Sequence, residues 1–303
     1  MLRASAVLAA VILATAASPA AAKRGPRLGG CPVFPKSNAW NQDVSKAKVE
    51  PGSDRYIASI GGDDFLHPDF GGDGEYGIPF KVVPRSQPFV PIAFTDYGDE
   101  SDPGPYPIPP DAPVEGGSDR HLLVLQKGKC KLYELYAAER TGDGWTAGSG
   151  AKWNLRSNKR RHEGWTSADA AGLPILPGLA RYGEVKRGAI RHALRFTVSE
   201  TQRGYIHPAT HFASSDDDPA LPPMGLRLRL KRSFSLRGYH GQARVILKAL
   251  KRYGMIVADN GSDWFITGAA DRRWDDEDLG QLKRVPGRDF EVVKTGRIRR
   301  GGS

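Results

Sequence analysis

The chain has 303 residues, a formal net charge of +10, and hydrophobic and charged fractions of 39% and 26%, values that exclude an intrinsically disordered chain and leave room for a substantial core. Its 36 glycines and 23 prolines imply many turns and little long regular structure. No phosphate loop or dinucleotide fingerprint is present, and the positive charge suggests attraction to polyanions, which for a chain with a secretory leader are acidic polymers or surfaces outside the cell more than nucleic acid.

Residues 1–22 carry the pattern of a secretory signal peptide, with a short basic start, an apolar run and the small-residue site Ala20-Ala21-Ala22. No later stretch approaches the roughly 18 apolar residues of a membrane span. An extended arm is expected over residues 23–41, then one β domain over 42–295 and a basic flexible tail over 296–303. Two cysteines in an oxidising compartment, Cys31 and Cys130, predict one disulfide between the arm and the centre of the chain.

Asp54 to Ile60 reads as a short helix capped by Ser53 and stopped by Gly61-Gly62. Ile78 to Val83 and Phe89 to Phe94 are proline-flanked strands suited to sheet edges. The proline- and acid-rich stretch from Asp96 to Pro113 is irregular and suits a wall or lid over a groove. Gly117 to Glu139 predicts a β-hairpin. A two-residue turn at Lys127-Gly128 places His121 opposite Glu134 and Asp119 opposite Tyr136, whereas a turn at Gly128-Lys129 places His121 opposite Tyr136. Both registers put the same polar groups on one face.

Gly142 to Gly150 reads as a turn and Ala151 to Leu155 as a strand. Arg191 to Val198 alternates, with His192, Leu194, Phe196 and Val198 on the core face. Tyr205 to Phe212 and the Leu-Arg alternation from Leu226 to Leu230 repeat that pattern. Gly241 to Tyr253 is the clearest helix, with Ala243, Ile246, Leu247, Leu250 and Tyr253 on one face. Asn260-Gly261 signals a tight hairpin between Met255–Asp259 and Asp263–Gly268, and an acidic helix is expected near Asp275 to Leu282. Many short strands and one or two peripheral helices predict a mainly β chain, a β-sandwich of the jelly-roll or concanavalin kind.

An ionised carboxylate on an apolar strand face needs a partner or a wet groove. Glu134 is therefore the leading acid/base candidate, with His121 as its cross-strand partner and Asp169 and His192 as supporting groups. Asp119, Tyr136, Trp153, Trp165 and His211 are the expected substrate contacts, the indoles as stacking faces for sugar rings. His207 and His211 have the i, i+4 spacing of a metal pair, but Pro208 breaks the helix that spacing requires, so no metal or cofactor is expected.

The spacing Glu134-x-Tyr136-x-x-Glu139 resembles the catalytic strand of concanavalin-like glycoside hydrolases, with Tyr136 where that family has a middle acid. This resemblance implies a nucleophile or base at Glu134 and an acid at Glu139. The stretches SDRH, LYELY, TSADAAGLP, RHALRF and PPMGLRLRLK are similar to a family of secreted bacterial proteins, which implies a common fold and no particular chemistry. The combined expectation is a secreted enzyme cleaving an extracellular polysaccharide, neutral or acidic, as a hydrolase or a lyase. Its alternative is a non-catalytic glycan- or surface-binding module.

Overall fold

The computed structural model describes residues 25–73 and 76–301, so the expected signal peptide lies outside the described residues. In chain order the elements are β1 (Arg27–Leu28), β2 (Cys31–Pro32), α1 (Ser53–Ile60), β3 (His67–Asp69), β4 (Phe80–Val83), β5 (Ile92–Phe94), β6 (Leu122–Gln126), β7 (Lys131–Tyr136), β8 (Glu139–Arg140), β9 (Trp145–Ala147) and β10 (Ser149–Asn154). There follow α2 (Tyr182–Lys186), β11 (Leu194–Val198), β12 (Arg227–Leu230), α3 (Gly241–Arg252), β13 (Met255–Asn260), β14 (Phe265–Thr267), α4 (Asp276–Gly280) and β15 (Phe290–Val292). With 25% strand and 16% helix the chain is mainly β, a layered arrangement of sheets with few helices, as its short apolar runs predict.

Two sheets dominate, a four-stranded one in the order β10-β7-β6-β4 and a six-stranded one in the order β15-β12-β13-β11-β14-β3. Both are mixed, since β4 pairs with β6, β11 with β13 and β14 with β3 in parallel. As the flanking prolines suggest, β4 is an edge strand, and β5 is an edge of a third sheet, β5-β9-β8. β9 falls within the stretch expected to be only a turn.

The hairpin β6–β7 is buried on both faces. Leu123, Leu125 and Leu132 join the main core, while Leu122, Val124, Tyr133 and Leu135 join a second core with Tyr106, Ile108 and Trp145. That is why LLVLQ reads as an unbroken apolar run, the signature of a strand covered on both sides. Tyr106 and Ile108 come from the proline-rich stretch, which packs as the cover of this second core.

Gln126 pairs with Lys131 across the four-residue loop Lys127–Cys130, and Leu123 pairs with Glu134. The cross-strand pair of His121 with Glu134 therefore does not form. The alternative register holds, and the His121 and Tyr136 rings stand 6.0 Å apart. Cys130 supplies the reason, because it closes the loop at φ 54° with its N–H on Gln126 O at 2.9 Å while it forms the disulfide to Cys31.

The expected hairpin at Asn260-Gly261 also does not form, since β11 lies between β13 and β14. The polar groups of the turn bond to β11 instead of to one another. Gly261 N–H reaches Val198 O at 2.9 Å, Thr197 Oγ1 donates to Ser262 O at 2.7 Å, and Asp263 accepts from Ser199 N–H and Oγ at 2.7 and 2.8 Å. Tyr205 to Phe212 forms no named strand, although Tyr205 bridges to Met224 and Arg299. Residues 298–300 thereby join the fold through that Tyr205–Arg299 bridge.

Helix α1 ends where Gly61 takes φ 97°, as expected, but Ser53 is its first helical residue and accepts from Val292 N–H at 2.9 Å instead of capping it. The amphipathic reading of α3 holds, with Ala243, Ile246, Leu247 and Leu250 buried. Arg227 and Arg229, which alternate with leucines, are buried. Arg227 donates to the carbonyls of Ala39, Gln42 and Tyr253, and Arg229 pairs with Glu291 at 2.8 Å, so these arginines fasten the N-terminal segment to the sheet. Cys31, Phe34 and Trp40 of that segment sit in the main core.

Candidate functional site, an acid-lined cleft

Where the start of β6 and the end of β7 meet the C-terminal ends of β11 and β13, the two large sheets leave an open cleft. One chamber, of about 270 Å³, is lined by Asp69, Glu115, His121, Arg195 and Asp259 among others. The second, of about 230 Å³, is lined by Tyr97, Tyr136, Thr166, Ser167 and His211. Asp119, Asp259 and Asn260 belong to both, so the chambers form one continuous surface.

Arg195 forms the floor. It is 4% exposed, its Nε and Nη2 bind the Asp169 carboxylate at 3.2 and 2.9 Å, and its Nη1 donates to Thr267 Oγ1 at 2.7 Å. A buried guanidinium is tolerated only with such full pairing, and the two-point bond to Asp169 holds it firmly charged against the cost of burial. Asp169 is carried by the loop after Trp165, where Asp169 N–H bonds to Ser167 Oγ at 3.0 Å.

Asp259 approaches the same guanidinium at 3.8 Å, with 24% of its side chain exposed. A one-residue register shift places it there. Phe196 pairs with Val257, but the next pair is Thr197 with Asp259, leaving Ala258 as a bulge. Side chains alternate along a strand, so this extra residue puts Asp259 on the face of Arg195 and Thr197 instead of the core face of Phe196 and Val198. Burial and the negative charge of Asp169 then push the Asp259 carboxyl up to about 8, against the attraction of Arg195.

His121 lies between two acceptors. Its Nδ1 is 2.5 Å from Glu115 Oε2 and its Nε2 3.0 Å from Ala168 O. A carbonyl can only accept, so Nε2 carries a proton, and a proton on Nδ1 as well satisfies the carboxylate. Burial opposes the charged ring, but Glu115 outweighs it and raises the His121 pKa. Asp69 and Tyr136 are also raised, both chiefly by burial.

Of the expected site residues, His121, Asp119, Tyr136 and His211 line the cleft, and Asp169 stands behind Arg195. His211 donates from Nδ1 to Ala170 O at 2.7 Å. Glu134 and His192 are elsewhere. Glu134 is 0% exposed and accepts from Trp153 Nε1 at 2.9 Å, from Ile175 N–H at 3.1 Å and from Leu176 N–H at 2.9 Å. Burial still pushes its carboxyl up to about 7, offset in part by those three donors. It fastens the LPILPGLA segment to the hairpin and has no opening to solvent.

His192, also 0% exposed, sits with its Nε2 2.9 Å from Arg181 Nη2 and 3.0 Å from Glu184 Oε2. The four expected catalytic groups therefore do not share one groove. Glu139 is exposed in β8, in a different sheet from Glu134, and cannot serve as that residue's catalytic partner. Trp153 and Trp165 border a separate groove. Arg195, Asp259, Glu115 and Asp69 are cleft residues outside the expected set; Arg195 stands in step on the polar face of an alternating strand, and no local pattern marks the other three.

Among the described residues no group of His, Cys, Asp and Glu side chains is arranged to hold a metal ion, and no helix is long and apolar enough to cross a membrane. The fold and cleft define a disulfide-bonded, mainly β protein with a recessed cluster of carboxyl groups. Against protein-family models, curated proteins and solved structures the chain finds no match.

Proposed function

We propose that this cleft is the active site of a secreted carbohydrate-active hydrolase, with Asp259 as the acid that protonates the leaving oxygen and Asp119 as the second carboxyl group. The observation that carries this reading is the bulge at Ala258, which turns Asp259 out of the core and against the Asp169–Arg195 pair at the floor of an open cleft. Glycosidic bonds are cleaved by two carboxyl groups, one of them kept protonated at neutral pH by its surroundings. Asp69 and Glu115 offer acceptors for sugar hydroxyls, and Tyr97 and Tyr136 offer ring faces.

A hydrolase suits the cleft better than a lyase does. A lyase must neutralise the substrate carboxylate before a base removes the neighbouring proton. Here Arg195 is already bound by Asp169 and Thr267, and the surrounding acids repel a uronate. The sugar unit at the reacting position is therefore neutral or cationic. Export is supported by the signal-like pattern of residues 1–22 and by the Cys31–Cys130 disulfide.

The test is release of reducing ends from a panel of neutral, amino and acidic polysaccharides. Wild type should release them, and Asp259→Asn and Asp119→Asn should each lose about 10²- to 10⁴-fold with the fold intact. Binding of a polysaccharide by wild type without turnover of any panel member would overturn the enzyme reading in favour of a binding module.

A further inference from the structure

On the other side of the 165–170 loop, the end of β10 and the segment after it enclose a second groove, of about 200 Å³, with the opposite chemistry. Lys152, Lys159, Arg160 and His162 line it together with Trp153 and Trp165. Asp102, the carboxylate in its wall, is already paired with Arg161 at 2.6 Å. Arg161 is in turn fully used by the fold. Its Nε donates to Thr166 O at 2.6 Å, and its guanidinium lies 5.8 Å from the Trp153 ring centre and 5.5 Å from that of Trp165, fixing both indoles.

The remaining cations have no comparable acid. Arg160 approaches Glu163 only to 4.0 Å, and that carboxylate is held by Tyr205 and His207 at 2.6 and 2.7 Å. Half-buried Lys152 donates to the Pro103 carbonyl, and burial together with the like charge of Lys131 lowers its pKa against the pull of Asp102. Lys159 is exposed. The groove continues into a narrow recess lined by Phe34, Trp40 and Pro174. Trp40 is 1% exposed, and its indole N–H has no partner among the described residues.

We propose that this groove binds an acidic glycan, with a sugar ring against Trp165 and its sulfate or carboxylate among Lys152, Lys159 and Arg160. An indole face is a flat apolar surface of the size of a sugar ring, and cations clustered in a recess focus the field that draws an anion in. The arginines of the Leu226 to Leu230 alternation, Arg227 and Arg229, are by contrast buried. Because Trp165 borders the groove and Thr166 and Ser167 border the cleft, a polymer crossing the loop touches both. The acidic groups are then held away from the acid-lined cleft. This binding does not depend on the cleft being catalytic.

The full chain, disulfide intact, is titrated with dextran sulfate, polygalacturonate and neutral dextran at low and moderate salt. The expected result is binding of at least one anionic polymer, with none of dextran. Separate results for the two polyanions distinguish sulfate from carboxylate as the recognised group. Lys159→Gln combined with Arg160→Gln should weaken that binding about tenfold or more, and Trp165→Ala by a similar factor. The Lys159→Gln/Arg160→Gln variant should keep the thermal midpoint, because those side chains are exposed, whereas Trp165→Ala also loses the contact with Arg161 and is compared at a temperature where it is fully folded. Wild-type affinity in these variants, or binding of duplex DNA that is equally tight and indifferent to Trp165→Ala, would overturn the proposal.

Discussion

Thr197 and Asp259 face each other in β11 and β13 because Ala258 is left over between them. In unbroken register Asp259 would stand opposite Val198, which is 0% exposed. An aspartate is thus carried from the core face to the floor of the cleft by one extra residue in a parallel strand pair.

The pH dependence of stability follows from that placement. Asp259, raised to about 8, and Glu134, raised to about 7, hold protons in the folded state at pH values where the unfolded chain has released them. His121, also raised, acts in the same direction. Stability therefore falls as pH climbs from about 4 and levels off above about 8. Asp259→Asn cannot ionise and should remove the last part of that slope, between about pH 7 and 8. Thermal midpoints across this range give the answer, and a wild-type midpoint that rises between pH 6 and 8 would contradict the assignment.

Much of the fold was legible because apolar periodicity and turn residues encode it locally. The helix from Gly241, the strand from Leu226 and the disulfide needed no tertiary information. What escaped was register and insertion. Cys130 closes a four-residue loop, which places Glu134 opposite Leu123, two residues from His121. The Asn260-Gly261 segment satisfies its polar groups on β11 instead of folding back. A carboxylate among leucines needs compensation, and Glu134 has it. The compensation comes from Trp153 and two backbone N–H groups of a segment 41 and 42 residues away, which no local pattern records.

Glu134 should accordingly behave as a structural residue. Glu134→Ala leaves the Trp153, Ile175 and Leu176 donors without an acceptor and opens a cavity, at a cost of about 3–5 kcal/mol. Glu134→Gln keeps one acceptor oxygen but turns an NH₂ group towards a donor, at about 1–3 kcal/mol. Urea unfolding measures both. Any turnover on a responding substrate should persist in folded Glu134→Gln; a 10²-fold loss there with unchanged stability would restore a catalytic role.

The Cys31–Cys130 bond closes a loop between residues 99 apart in sequence and joins the N-terminal segment to the hairpin loop. On the chain-entropy model it contributes about 4–5 kcal/mol. Replacing both cysteines with serine should lower the unfolding free energy by that order, and the midpoint should fall on adding reductant in the wild type but not in the variant. An unchanged denaturation curve on reduction would show that the segment is held by Trp40, Arg227 and Arg229 alone.

His192 belongs to a buried network with Arg181 and Glu184, and its contribution is stability. Burial by itself would raise the Glu184 carboxyl, but Arg181 and His192 reverse this and bring it down to about 2. A carboxyl lowered in the folded state stabilises the fold above its unfolded value, and that contribution is lost as pH falls through about 4 towards 2. Glu184→Gln leaves Arg181 charged and buried without its counter-ion, at about 3–5 kcal/mol near neutral pH. The same substitution should flatten the acid limb, because the group that gains a proton there is gone. Adding Arg181→Met to Glu184→Gln removes the stranded charge and should recover part of the loss, which a double-mutant cycle reads directly. Additive losses in that cycle would mean that the Arg181–Glu184 contact of 2.9 Å contributes no coupling energy.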